Sequence, residues 1–256
     1  MSEKAGLRIY PTNFYKSKEK YILYLKHLFA YEFARNFISV NSFVLDIGSG
    51  EGYGAYLLSQ QAKKVVGFEV DVGAVDHASK KYSSNNLAFV LYNGMKIPFS
   101  DNYFHCVTCF QVIEHVADDE LFVSEIFRVL KKGGILILTT PNRTYRLWSW
   151  QKPWNKYHVR EYYPSELEEL MKKYFPSIKI LGIKGTEDVQ RIEINRVKIN
   201  KFDFLNLRRF VPIRIGRMLR KLLDGGGSNK MDYTVKDFYI TEDTRQALDI
   251  LAICRK

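Results

Sequence analysis

The stretch from Phe43 to Glu69, FVLDIGSGEGYGAYLLSQQAKKVVGFE, leaves this chain few folds to choose from. Phe43 to Ile47 is a short apolar run, as expected of a strand buried on both faces of a parallel sheet. Glycines then fall at every second position, Gly48, Gly50, Gly52 and Gly54, so the backbone can turn tightly and let a ligand come close. From Ala55 to Ala62 the pattern is helical. The loop therefore opens onto a helix N-terminus, whose unsatisfied N–H groups favour an anionic group. Val65 to Phe68 is a second strand. Glu69 closes it, about 20 residues past the loop, where one carboxylate can accept from both hydroxyls of a ribose. A dinucleotide site wants G-x-G-x-x-G, but counted from Gly48 its third glycine would stand where the chain has Tyr53. The spacing is G-x-G-x-G instead.

With Asp46 ahead of it, DIGSGEG resembles the first motif of Rossmann-like S-adenosylmethionine (SAM)-dependent methyltransferases. HLFAYEFA resembles the helix before the first strand in that family, with Ala30 where a basic residue often precedes the tyrosine, here Tyr31. YNGMKIPFSDNYFHCVTCFQVIEHV is similar to the family's third-strand loop and fourth strand. An acidic side chain in that loop meets the adenine amino group. In register, Asn93 takes its place, and its carbonyl can still accept from an amine. EIFRVLKKGGILILTTPN closely resembles the family over the fifth strand and the helix before it. The resemblance covers about residues 40–145 and implies SAM as the cofactor. It implies that Asp46, Gly48, Ser49, Gly50 and Gly52 form the methionine-side loop and that Glu69, with Val70 beside it, holds the ribose. Asn93, Gly94 and Met95 would meet the adenine, and Gln111 would sit at the carboxyl end of the fourth strand, where open α/β sheets place ligands. The fold it implies is α/β: a Rossmann-like doubly wound, mainly parallel seven-stranded sheet with helices on both faces and one antiparallel strand.

Apolar spacing predicts helices over Lys18–Phe37, Val72–Tyr82, Asp119–Leu130 and Pro164–Tyr174, with KKGG stopping the third. Strands are expected at Leu87–Leu91, Phe104–Phe110, Ile135–Thr140 and Ile178–Ile183, with Ala247–Ile253 as one of the last. At 256 residues the chain reads as one methyltransferase domain. Its parts are an N-terminal arm and helix (1–38), a SAM-binding core (40–145), an aromatic lid (143–163) and a basic insertion (185–230). The three cysteines, Cys106, Cys109 and Cys254, are too few and odd in number for a disulfide framework. Cys106 and Cys109 would face opposite sides of their strand. The start of the chain has no apolar h-region and no run approaches a membrane span, so a cytoplasmic protein is expected.

The net charge is +11, and nine basic residues against one acid, Asp203, lie between Arg196 and Lys221. Within 207–223, Leu207, Phe210, Val211, Ile215, Met218, Leu219 and Leu222 recur at helical spacing, with arginines and lysines largely opposite. Such a helix can rest peripherally on an anionic inner-membrane surface or pack its apolar face on the domain. GGGSNK follows as a flexible link.

RTYRLWSWQKPWNKYHVREYY, from Arg143 to Tyr163, holds all three tryptophans, interleaved with tyrosines and cations. Placed after the fifth strand, it reads as a lid over the acceptor, able to stack on sugar rings, quinone-like rings or bases, or as a loop that buries its aromatics against the domain. A hydroxyl acceptor must lose its proton, and a neutral histidine suits that near pH 7. His158 is the first candidate base, His115 the second, and Glu161 a further polar candidate. Ubiquinone-pathway and small-RNA 3′-terminal O-methyltransferases carry E-x-x-E-H after strand four, which holds a divalent ion. This chain has Gln111, Glu114 and His115 there, plus His158 in the lid. A neutral amide at the first position weakens a Mg²⁺-type site, and no metal is expected. The reading is SAM-dependent methyl transfer to oxygen on a small molecule, sugar or lipid-linked glycan. Its alternatives are an RNA-directed methyltransferase and a non-catalytic SAM-fold binding subunit.

Overall fold

The computed structural model describes residues 17–94, 96–202 and 232–256. The arm at 1–16, Met95, the expected basic helix at 207–223 and the GGGSNK link lie outside the described residues.

Eight strands form one sheet: β1 (Phe43–Ile47), β2 (Lys64–Glu69), β3 (Leu87–Leu91), β4 (Phe104–Phe110), β5 (Leu130–Pro141), β6 (Ser177–Gly185), β7 (Phe238–Thr241) and β8 (Asp249–Arg255). Their order is β3-β2-β1-β4-β5-β8-β6-β7. The first five pair in parallel, β8 lies antiparallel between β5 and β6, and β7 runs antiparallel along the outer edge of β6. The count of seven with one reversed strand is therefore corrected to eight with two. The extra strand, FYIT, is only four residues long. A run that short carries too little alternation to stand out in the sequence.

The helices are α1 (Lys18–Arg35), α2 (Tyr53–Ser59), α3 (Val72–Lys81), α4 (Asp119–Val129), α5 (Arg143–Arg146), α6 (Pro164–Lys172) and α7 (Glu187–Phe202). Their starts follow the local chemistry of free N–H groups. Asp71 caps α3 by accepting from Ala74 N at 2.8 Å, and Asp118 caps α4 by accepting from Leu121 N at 2.9 Å. α7 fills part of the insertion for which the sequence suggests no element. KKGG does not simply stop α4. The helix has already ended at Val129, and Lys131 to Gly134 bulge within β5, with Gly133 at φ +74°.

Alternation along β1 divides the core into two layers. Leu45 and Ile47 join Phe122, Ile126 and Leu167 on the α4–α6 face. Val44 joins Ile22, Ala34, Ala55 and Leu58 on the α1–α2 face. Cys106 and Cys109 fall in opposite layers, and burial pushes the Cys106 thiol up to about 12.

The chain runs outward from β1 through β2 to β3, then crosses back to β4 and β5. The strand order thus reverses between β1 and β4, and a crevice opens at their carboxyl ends. The loops after these two strands pack closely there. Gly48 sits at φ +76°, and a Cβ on it would lie 2.2 Å from Cγ2 of Val112. Only glycine meets both demands.

Candidate active site

A cavity of about 990 Å³ occupies this crevice. Its walls come from the loops after β1, β2, β3 and β4, from α1, from the 154–158 part of the lid, and from Arg146 and Arg196.

The glycine loop forms one half. Gly48 N and Ser49 N donate to Phe68 O at 2.8 and 2.9 Å, which locks the loop onto β2. Glu69 then ties three backbone donors together: Oε2 accepts from Gly50 N at 2.9 Å, and Oε1 from Val70 N at 2.8 Å and Asp71 N at 3.1 Å. A carboxylate offers about four acceptor positions, so one remains for a ligand hydroxyl. Two observations fit SAM in this half. Ser49 Oγ is buried with no hydrogen-bond partner among the described residues. Gly50, at φ +51°, has nothing within 4 Å of where a side chain would stand, so its backbone is open to a ligand. Phe68 and Tyr92, stacked with centroids 4.8 Å apart, and Val70 and Gly94 supply the apolar slot an adenine would enter.

Of the residues expected around the cofactor, Gly48, Ser49, Gly50, Glu69, Val70, Gly94 and Gln111 line the cavity. Asp46, Gly52 and Asn93 are not in its wall, and Met95 lies outside the described residues. Asp46 sits beneath the loop on the α1 side. There it accepts from Thr108 Oγ1 at 2.7 Å and Tyr31 Oη at 3.1 Å. Burial pushes its carboxyl up to about 7, against the downward pull of those two hydrogen bonds. Tyr31 both lines the cavity and packs in the core.

The other half gathers polar side chains from distant parts of the chain. His158 Nδ1 lies 2.9 Å from Glu161 Oε1, and His115 Nδ1 lies 2.9 Å from the Tyr157 carbonyl. Both partners are acceptors, so each ring carries its proton on Nδ1 and keeps the Nε2 lone pair. The two rings meet edge to face at 4.7 Å. Burial lowers the His115 pKa, which keeps that ring neutral. Glu161, expected with the catalytic residues, stands behind His158 and outside the cavity wall, where it also accepts from Arg146 Nε at 3.1 Å and Nη2 at 3.2 Å. Burial alone would push its carboxyl up, but the Arg146 charge and the hydrogen bonds from His158 and Arg146 hold it below the usual range.

Glu114 is 1 % exposed and accepts from Thr140 Oγ1 at 3.0 Å. Burial pushes its carboxyl up to about 8. Glu114, His115 and His158 each offer one ligand atom, and the three atoms lie within 4.8 Å of one another. Gln111 does not join them. At φ +57°, its amide donates to Asp249 Oδ2 at 3.1 Å and Thr139 Oγ1 at 3.3 Å. Asp249 is ion-paired with Lys26 at 2.7 Å, both buried.

Sequence reasoning missed Lys26, His27, Arg146, Asp249 and Arg196. Lys26 and Asp249 lie 223 positions apart and Arg146 and Glu161 15 apart, and no spacing rule links either pair. The Arg196–Glu193 pair has a local i,i+3 signal, but nothing in the sequence says that it faces a cavity.

Residues 45–138 match the methyltransferase domain family. This core is a Rossmann-like, SAM-dependent methyltransferase domain. A probable SAM-dependent methyltransferase of Mycolicibacterium smegmatis is 40 % identical over 128 residues, covering 50 % of this chain and 49 % of that protein. A ubiquinone biosynthesis O-methyltransferase of Bartonella tribocorum is 28 % identical over 133 residues, covering 50 % and 54 %. The chain thus aligns over about half the length of the curated relatives it matches. A SAM-dependent methyltransferase of Thermotoga maritima, described as a possible histamine N-methyltransferase, superposes with a TM-score of 0.59 at 19 % identity, covering 96 % of this chain and 98 % of that one. That likeness extends the shared fold beyond the matched core to β6, β7 and β8.

Proposed function

We propose that this protein transfers a methyl group from SAM to a hydroxyl oxygen of a small polyhydroxylated acceptor, a sugar or lipid-linked glycan. The observation that carries the reading is the Glu161–His158 pair, in which Glu161 engages Nδ1 of a histidine that lines the same cavity as the glycine loop. SAM, when bound, supplies a methyl group made electrophilic by its sulfonium. Gly48, Ser49 and Gly50 would hold its methionine side, and Glu69 its ribose. His158 Nε2 would take the acceptor's hydroxyl proton as the oxygen–methyl bond forms and the carbon–sulfur bond breaks. Glu161 then faces an imidazolium and stabilises it. The charge-paired side chains Lys26, Arg146 and Arg196 and the face of Trp154 would hold the acceptor's hydroxyls and ring. The named activity of the Bartonella relative is also an O-methylation.

A second reading rests on the Glu114–His115–His158 cluster. One carboxylate and two imidazoles are a donor set for a divalent transition metal, which would bind the acceptor oxygen directly. Chelation separates the two readings. Tritiated methyl-SAM is incubated with the protein and a fractionated cell extract, with and without a chelator, with Glu69→Ala as the control. Label in the glycan, lipid or small-molecule pool, insensitive to chelator and lost in the control, supports the histidine-base reading. Label lost on chelation and restored by Mn²⁺ or Zn²⁺ supports the second. Label in RNA, or SAM binding without transfer to any pool, refutes the proposed acceptor class.

A further inference from the structure

The three tryptophans of the lid divide between two environments. Trp154 lines the cavity, its ring covered by the Arg146 guanidinium at 4.4 Å. Trp150 is 66 % exposed and Trp148 41 % exposed. This exposure does not come from a slack loop. Arg143 Nη2 donates to the carbonyls of Ser149 and Gln151, each at 3.0 Å. Gln151 N donates back to Trp148 O at 3.0 Å, and the buried Gln151 side chain accepts from Trp148 N at 3.2 Å and donates to Lys201 O at 3.4 Å. A turn braced from both sides thus holds two indole rings at the surface.

The charge around them has one sign. From Arg143 to Arg160 the chain has five cations and no acid. Arg146 and Arg160 are spent on Glu161 and Asp119, but Lys152 and Lys156 are exposed and make no ion pair among the described residues. Lys201 Nζ stands 4.2 Å from the Trp148 ring centroid. The turn is bracketed in the chain by residues that line the cavity, Arg146 before it and Trp154, Asn155, Lys156 and Tyr157 after it. Two more exposed apolar side chains, Val70 and Leu121, line the cavity as well.

We propose that the Trp148–Lys152 turn is a membrane-interface anchor that seats the mouth of the cavity on an anionic bilayer. Indole rings settle at the headgroup level with their N–H in the polar layer, and lysines beside them meet anionic headgroups while their stems lie along the apolar boundary. A nucleic acid would accept the same charge. Two exposed indoles held on one braced turn favour lipid. The proposal does not depend on methyl transfer. It concerns which surface the cavity faces, and it is independent of residues 207–223.

The test is co-sedimentation of the full chain with phosphatidylcholine vesicles, with and without phosphatidylglycerol, alongside Trp150→Ser, Lys152→Glu and the double variant. Melting temperature and SAM binding establish that each variant is folded. Wild type should pellet with the anionic vesicles, with a blue shift of tryptophan emission, and release as salt is raised. Each unit of charge lost near the surface weakens partition about fivefold, so Lys152→Glu, which changes two, should weaken it about 25-fold. The double variant should remain in the supernatant while binding SAM normally. Three results would overturn the proposal: wild type that ignores anionic vesicles, a folded double variant that still pellets like wild type, or single-stranded RNA bound through Trp150 in the absence of any vesicle binding. Vesicle binding with no methyl transfer to any acceptor leaves the anchor standing and removes only the proposed reaction.

Discussion

Glu114→Gln is the substitution whose outcome the geometry fixes most tightly. Glu114 is buried, and burial pushes its carboxyl from the ordinary 4.5 up to about 8. Its folded-state pKa is raised, so the protonated form is the one the fold prefers. The stability contributed by that preference is fully present below about pH 4.5 and is lost as pH rises through about 8. A gap of about 3.5 pH units corresponds to about 5 kcal/mol once the group is ionised in both states, and to about 4 kcal/mol at pH 8. Glutamine mimics the protonated acid. Its carbonyl can still accept from Thr140 Oγ1, and it cannot ionise. In chelator-containing buffer the variant should therefore match wild type near pH 4 and melt about 10 °C higher at pH 8, taking about 2–4 °C per kcal/mol for a chain of this size. The assay is a thermal melt of both proteins at several pH values. A difference that does not change with pH, or a glutamine variant less stable at pH 8, would refute the reasoning. Repeating the melt with Mn²⁺ or Zn²⁺ adds a second readout. A cation held by Glu114, His115 and His158 would raise the wild-type melting temperature and leave Glu114→Gln nearly unmoved.

Lys26→Met should cost about 3–5 kcal/mol in urea unfolding, because it leaves the Asp249 carboxylate buried without its ion-pair partner. Gly54→Ala would place a Cβ 2.0 Å from Cζ of Tyr31 and push the ring off Asp46, for a loss of about 1–3 kcal/mol in the same assay. Glu69→Ala removes a charged hydrogen bond to the ribose and should weaken SAM binding by calorimetry about 10- to 100-fold. The three backbone donors it leaves behind should also lower the melting temperature. His158→Asn should lower turnover about 10²- to 10⁴-fold while SAM affinity stays within about twofold. Unchanged turnover would remove His158 from the chemistry.

The parallel half of the sheet was legible because its information is local. β1, β3 and β4 were readable to the residue: β1 and β3 are short apolar runs ended by a turn residue within two positions, and β4 is a mainly apolar run begun after the turn at Asp101–Asn102. The glycine loop was legible for the same reason: the turn, the helix and Glu69 all lie within 27 residues. What the sequence could not give is the height of a residue in the sheet. Asp46 stands two residues before Gly48, yet alternation aims it at α1 and Tyr31, beneath the loop it was expected to join. Asn93 follows strand three as expected but is exposed beside the cavity, while its neighbours Tyr92 and Gly94 line it.

The acceptor half was opaque because it has no local grammar. Most of its contacts join elements remote in sequence, Glu114 with Thr140, His115 with Tyr157 and Lys26 with Asp249, and its two local pairs, His158–Glu161 and Arg196–Glu193, carry no sign that they face a cavity. The buried charges nonetheless pair almost one to one, Lys26 with Asp249, Arg146 with Glu161 and Arg196 with Glu193. Pairing of that kind leaves little net charge on the wall despite the +11 of the whole chain. A strongly anionic acceptor would find each of these cations already neutralised, whereas a neutral polyol would find donors and acceptors held at fixed positions. In the proposed reading, the paired charges of the cavity suit hydrogen-bonding hydroxyls better than holding an anion.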